Sequence, residues 1–247
     1  MPKYSQVFGR LGNKTNDLKY FKHLIPNDCS MIVEPFCGSC AVTLNIFPDH
    51  TNNQYHFNDL DINVYNIIND TQGYIDFKDT MRIEYANFQS NNSSTIDWKN
   101  HVKTINNKFK DIYIQEKFIR GSVFKETKKG NYDPNHISIF EKATKTNNDY
   151  KVVMDQYKNN SNTFIFLDPP YLFSDNSGYV PQREESDMTE ILIYILEYLK
   201  TSQCKVMLII NDLKILRYLY NDFIKGEYAR IYLLTKKKSK HLIITNY

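Results

Sequence analysis

The residues best suited to chemistry are Asp168-Pro-Pro-Tyr171, which follow the apolar run Thr163-Phe-Ile-Phe-Leu167. The exocyclic nitrogen of an aromatic amine is a poor nucleophile, because its lone pair is delocalised into the ring. Two acceptors that take hydrogen bonds from both amine protons push that nitrogen towards a tetrahedral, reactive geometry. Asp168 can supply a carboxylate for one proton and Pro169 a backbone carbonyl for the other. Pro169 and Pro170 fix φ, so the carbonyl is preorganised. Tyr171 offers a flat face on which an aromatic base can stack. The same four residues also read as a rigid turn that ends a strand.

Two further groups carry a ligand-binding pattern. Glu34-Pro-Phe-Cys-Gly-Ser-Cys40 lies between a short strand and the next helix, where an open α/β sheet receives its ligand. Gly38 would let the backbone approach that ligand closely. Asn58-Asp-Leu-Asp61 follows the second strand, about twenty residues on, where an acidic side chain commonly accepts hydrogen bonds from ribose hydroxyls. Taken singly, a tight βα connection and a helix cap account for these residues as well.

The elements that must position these groups follow from apolar spacing. Residues 16–25 have helical spacing, and Met31–Glu34 reads as a buried strand. A helix over 41–47 closed by Pro48, a strand at 55–57 and a helix over 62–68 complete a Rossmann-like half. Residues 74–118 read as mostly helical, interrupted by polar residues at 90–94. Residues 120–147 are rich in Gly, Lys and Asn and read as a loop-rich insert rather than core. Thr163–Leu167 then suits a strand buried on both faces. A polar loop over 172–186 leads to Asp187-Met-Thr-Glu190, which resembles a capping box. Met188, Ile191, Leu192, Ile195, Leu196 and Leu199 mark one face of the helix behind it. A strand at 205–210, a helix to about Tyr220, and a hairpin of 231–234 with 242–245 close the pattern. The expected fold class is α/β, a Rossmann-like core with a small, mostly helical and loop-built insert. Its expected parts are 1–73, 74–160 and 161–247.

Of 247 residues, 41% are apolar, enough for one core and against wholesale disorder. No apolar stretch is long enough to span a bilayer, and Met1-Pro-Lys-Tyr-Ser-Gln has no apolar signal core. An intracellular protein without a membrane partner is expected. A net charge of +3 decides little about partners. Cys29, Cys37, Cys40 and Cys204 lack the spacing of a disulfide framework. Cys37 and Cys40 form a CxxC, but no second pair or paired histidines complete a zinc site, so no metal is expected.

In their order along the chain, these motifs resemble the Dam-like adenine-specific DNA methyltransferases. Phe8-Gly-Arg-Leu-Gly-Asn-Lys14 resembles that family's opening cofactor motif, a Trp-x-Gly-Gly-Lys-like run. Gly12 and Lys14 match it, while Arg10 stands for the aromatic and Asn13 for the second glycine. Glu34–Cys40 resembles Glu-Pro-Phe-x-Gly-x-Gly, with Cys40 in place of the last glycine. Asn58–Asp61 looks like Asn-Asp-Leu-Asn, which makes Asp59 the ribose ligand and Asp61 the fallback. Asp168–Tyr171 matches the catalytic motif unchanged, and Leu242–Tyr247 looks like the end of many members.

The resemblance implies S-adenosylmethionine as cofactor and the 6-amino group of adenine in DNA as acceptor, with base flipping. It implies catalytic roles for Asp168, Pro169, Pro170 and Tyr171, and cofactor contacts at Arg10, Lys14, Glu34, Pro35, Phe36, Gly38, Asp59 and Asp168. The implied partner is double-stranded DNA, bound by a monomer or homodimer. The insert would read DNA, with Arg120–Lys125 and Lys128–Tyr132 as a basic loop before it. Lys236–Lys240 suits phosphate attraction or a solvated turn. GATC is the family's common target. One alternative is methylation of RNA adenine or of the cytosine 4-amino group on the same core; cytosine enzymes more often carry Ser where Asp168 stands. Another is a non-catalytic nucleic-acid-binding subunit, to which the departures at Arg10, Asn13 and Cys40 would belong.

Overall fold

The computed structural model describes residues 14–46, 50, 52–90, 134–173, 185–231 and 238–247. Apolar runs too continuous for amphipathic helices become the central strands. β1 (Met31–Glu34), β4 (Thr163–Leu167) and β5 (Lys205–Asn211) are buried along nearly their whole length, as strands covered on both faces must be. β2 (Gln54–Asn58) and β3 (Thr144–Thr146) extend the sheet on one side, β6 (Ile224–Ile231) and β7 (Lys238–Thr245) on the other. The order is β3-β2-β1-β4-β5-β7-β6. The first five are parallel, whereas β7 runs antiparallel to β5 and to β6. This is a Rossmann-like core with a mixed sheet.

The chain leaves β1 for β2 on one side and returns to β4 on the other. A crevice outside the carboxyl ends of β1 and β4 follows from that reversal, and open α/β sheets bind ligands there. Val33 pairs with Ile165, so Glu34 and Asp168 stand at the ends of neighbouring strands.

Helices cover both faces. They are α1 (Leu18–Phe21), which runs into a 3-10 turn at Lys22–Leu24, α2 (Ala41–Ile46), α3 (Ile62–Asn69) and α4 (Thr71–Ser90), then α5 (Pro134–Lys142), α6 (Tyr150–Tyr157), α7 (Glu185–Thr201) and α8 (Lys214–Leu219). One core gathers Phe21, Leu44, Phe57, Ile67, Phe164 and Phe166, the other Val33, Met154, Ile165, Leu167, Ile195 and Leu208. Strand alternation thus sends Phe164 and Phe166 one way and Ile165 and Leu167 the other. Each such side chain, fully buried, contributes about 1.5–3 kcal/mol. Among the described residues, no helix is long and apolar enough to cross a membrane.

Four expectations need correction. Residues 134–147 are not insert loop: α5 buries Ile139 and Phe140, and β3 pairs with β2, His56 opposite Thr144. Residues 150–157, also assigned to the insert, form α6 and bury Tyr150, Val153, Met154 and Tyr157. The apolar signal was thin because β3 reads Thr-Lys-Thr and is held by pairing, not by burial of its own side chains. The capping box is not one, since α7 begins at Glu185, ahead of Asp187, and Glu190 instead meets Lys151 of α6. β6 begins at Ile224, not 231; as an edge strand it mixes Lys225, Glu227 and Arg230 with Ile224, Tyr228 and Ile231. Of the helix expected over 74–118, α4 accounts for residues to Ser90, and 91–118 lie outside the described residues.

Candidate active site

β1 ends in the turn that carries Gly38. Gly38 has φ 49° and Cys40 has φ 52°. Glycine takes that conformation freely, whereas for Cys40 it costs about 1–2 kcal/mol. Surrounding bonds hold the turn in this form. The Gly38 N–H donates to Asp59 Oδ2 at 2.9 Å, and the Cys37 N–H donates to the Asn58 carbonyl at 2.9 Å. Asp59 Oδ1 also accepts the Asp61 N–H at 2.9 Å. One carboxylate therefore staples the loop after β2 to the loop after β1. Asp61, the fallback, caps α3 by accepting the Asn63 N–H at 3.0 Å.

Glu34 is buried at the end of β1, where its Oε1 accepts the Thr43 N–H at 2.9 Å and the Thr43 hydroxyl. Burial pushes its carboxyl up to about 7, against the Thr43 bonds, and Asp168 nearby raises it further. Asp168 ends β4. Its Oδ2 accepts from Lys14 Nζ at 2.6 Å, while its side chain keeps 20% exposure, enough to be reached from the crevice. Burial raises the Asp168 carboxyl too, and the Lys14 charge draws it back down. The Lys14 ammonium also lies 5.2 Å from the centre of the Tyr171 ring. Lys14 thus pairs with Asp168, while the buried Glu34, held by Thr43, lies near enough to Asp168 to feel its charge. That balance suits a ligand bearing positive charge, and the Asp59 carboxylate beside the glycine turn suits hydroxyl donors. Phe36, half-buried, stacks on Tyr150 at 5.2 Å and gives the turn an aromatic wall.

A brace under this turn was missed from sequence. Asn58 is fully buried; its Nδ2 donates to the Pro35 and Asn148 carbonyls, each at 3.0 Å. Its Oδ1 accepts the Thr146 hydroxyl at 2.7 Å and the Asn148 N–H at 2.9 Å. Asn147 Nδ2 donates to the carbonyls of Asp59 at 2.7 Å and Leu60 at 3.0 Å. Because the Thr146 hydroxyl donates to Asn58, it accepts from His56 Nε2 at 2.8 Å; His56 Nδ1 then accepts from the Tyr157 hydroxyl at 2.9 Å. The only sequence signal was the Asn-Asn-Asp cluster at 147–149, whose Asp149 caps α6.

Burial pushes His56 down to about 4 from its ordinary 6.5. Between those values the unfolded chain binds a proton that the folded chain refuses. His56 therefore contributes stability that is complete above 6.5 and lost as pH falls to 4. Glu34 acts with the opposite sign between 4.5 and about 7, so the comparison must be with a variant. His56→Gln is expected to flatten the rise of unfolding free energy with pH by up to about 1.4 kcal/mol per unit. Denaturant titrations across this range measure it; an unchanged slope would mean His56 titrates alike in both states.

Lys14, Glu34, Pro35, Phe36, Gly38, Asp59, Asp168, Pro169, Pro170 and Tyr171 come together at one end of the sheet. Lys14 reaches Asp168 and lies against the ring of Tyr171. Arg10, Gly12, Asn13, the basic loop at 120–132 and Lys236 and Lys237 lie outside the described residues. Cys37 and Cys40 are buried and form no disulfide, and no metal-binding cluster occurs among the described residues.

A family model described as D12 class N6 adenine-specific DNA methyltransferase matches residues 11–127 and 121–238. The Type II methyltransferase M.CviBI of Paramecium bursaria Chlorella virus NC1A is 26% identical over 271 aligned positions, taking in 96% of this chain and 97% of that protein. The delta-N METTL16 MTase domain superposes with a TM-score of 0.44 at 11% identity, covering 95% of this chain and 82% of its own. The N-terminal domain of human METTL16 in complex with SAH does so with a TM-score of 0.45 at 10% identity, covering 98% and 74%.

Proposed function

The chain belongs to the D12 class of N6 adenine-specific DNA methyltransferases, and on that premise we propose that it methylates adenine in double-stranded DNA, sequence-specifically and with the target base flipped out. S-adenosylmethionine-dependent methylation of adenine in nucleic acid goes with that family. The observation that carries the finer reading is Asp168: a partly buried, reachable carboxylate, at the strand end beside Glu34, with one oxygen already held by Lys14.

When bound, the cofactor supplies a methyl group on a positively charged sulfur. The chain's own residues do the rest. Asp59 takes the ribose hydroxyls while it fixes Gly38, so that the turn meets the cofactor at a set distance. Glu34 and Asp168 favour its positive charge, and Phe36 walls the pocket. Lys14 holds Asp168 Oδ2, the Tyr171 side chain also stabilises the carboxylate, and the carboxylate would accept a hydrogen bond from one amine proton of the adenine. The Pro169 carbonyl accepts the other, and Tyr171 stacks on the base. With the cofactor bound, these acceptors would orient the nitrogen lone pair for attack, and such alignment and preorganisation would supply most of the rate. The amine proton would pass to the Asp168 carboxylate, and from there to solvent, only after the nitrogen gains positive charge, so Asp168 need not be a strong base. Arg10 adds to the cofactor site.

Within the division into 1–73, 74–160 and 161–247, the DNA-reading segment falls in 74–133, because 134–160 builds the core. The basic residues at 120–132 and 236–240 contact phosphates. The working form is a monomer or homodimer.

The test offers labelled cofactor with unmethylated genomic DNA as duplex, the same DNA as single strands, and cellular RNA. Label is expected in duplex DNA, at adenine after digestion to nucleosides. Label confined to RNA, or to cytosine, would replace this reading.

A further inference from the structure

Two polar side chains, the buried His241 and the partly buried Asn211, stand beside the Asp168–Tyr171 turn with no part in the chemistry above. Asn211 and His241 are direct cross-strand partners on β5 and β7. Alternation puts both on the sheet face that carries Phe166, Met207, Ile209 and Ile243. Asn211 Nδ2 donates to the carbonyl of Leu172, the residue after Tyr171, at 3.0 Å. The His241 ring lies 5.5 Å from the Tyr171 ring, tilted by 55°. Behind it, Tyr228 of β6 stacks on His241 at 5.0 Å, and Tyr20 of α1 stacks on Tyr228 at 4.8 Å. A column of four rings thus runs from α1 through the hairpin to Tyr171. Its far end is pinned where the Tyr228 hydroxyl and Arg230 both reach Asp17, at 3.3 and 3.1 Å.

Packing alone does not account for these two residue types. Asn211 Oδ1 and His241 Nδ1 are buried and, among the described residues, have no hydrogen-bond partner. Each such atom costs about 1–3 kcal/mol, so what these positions supply is the ring against Tyr171 and the amide donor to Leu172 rather than a free acceptor. Burial, with Lys14 and Arg230 nearby, holds His241 down to about 4, so it stands as a neutral ring at neutral pH.

We infer that Asn211 and His241 are positioning residues for the target base: Asn211 fixes the path of the chain after Tyr171, and His241 sets the tilt of the Tyr171 ring. The hairpin is then more than the closing edge of the sheet, since it sets the slot in which the base stacks. The inference rests on reading Tyr171 as the stacking face.

Methyl transfer to duplex DNA and cofactor binding by calorimetry are measured on full-length His241→Ala, His241→Phe, Asn211→Asp and Tyr171→Ala, each checked for folding by its melting temperature. A misplaced reacting group costs up to about 100-fold, so His241→Ala and Asn211→Asp should each lose about 10- to 100-fold in kcat. Cofactor Kd should stay within about twofold, because the loss is confined to the transition state. His241→Phe, which keeps a ring against Tyr171, should recover kcat to within about threefold of the native enzyme. Folded His241→Ala or Asn211→Asp with native kcat overturns the inference, as does a parallel loss of kcat and cofactor affinity. So does a His241→Phe variant as impaired as His241→Ala. If Tyr171→Ala keeps full activity, the stacking reading itself fails; if it loses activity while the others do not, only the positioning inference fails.

Discussion

Asp168→Asn is expected to lower methyl transfer by about 10²–10³-fold, the usual cost of removing one preorganised group that acts in the transition state. The asparagine keeps the shape of the side chain. Its single oxygen is drawn to the Lys14 ammonium, now 2.6 Å from Asp168 Oδ2. The amide nitrogen then faces the adenine amine, a donor against a donor. Cofactor affinity should be largely kept. Asp168→Ala should abolish transfer as well, but it leaves the buried Lys14 without its carboxylate, and breaking a buried pair in this way costs about 3–5 kcal/mol. Transfer of labelled methyl groups to duplex DNA measures the rate, and calorimetry the cofactor. Full activity in Asp168→Asn would remove the carboxylate from the chemistry.

The second large effect is expected at Asp59, on binding rather than on rate. Asp59→Ala removes the proposed ribose ligand together with the acceptor of the Gly38 and Asp61 N–H groups. Hydrogen bonds to a charged group are worth about 1.5–3 kcal/mol, which corresponds to cofactor binding weakened about 10- to 100-fold. The rate at saturating cofactor should fall much less. Calorimetry with S-adenosylmethionine decides. Unchanged affinity would move the ribose role elsewhere, though Asp61 is already engaged in capping α3.

The parts of the fold legible in the sequence are those whose own side chains are buried. Met31–Glu34 and Thr163–Leu167 show as unbroken apolar runs because both faces of the sheet are covered there. β3 shows no such run. Its Thr-Lys-Thr is held by pairing with β2 and by Asn58, contacts between residues 88 to 90 apart that no local pattern encodes. β6 was placed too late in the chain for a related reason: an edge strand need bury only one side. In the candidate site, Gly38, Asp59 and Asp168 were legible because each follows a strand at the position where ligands meet α/β sheets. Asn58, Thr146 and Asn148 were not, since a buried polar side chain is recognised by its partners. The Lys14 contact with Asp168 was equally hidden, as the two stand 154 positions apart.

The interleaving of the strands also bears on how the chain folds. β1 lies between β2, which follows it closely, and β4, whose Thr163 must find Met31 across the whole intervening segment. β7 in turn enters between β5 and β6. Non-local pairing of this kind slows folding, because the entropy of closing long loops is lost before the contacts form. Neither half can shield its own sheet edge beforehand, so each is exposed to aggregation until the other arrives. Separate expression of the two halves would therefore test complementation between fragments, not the autonomy of either.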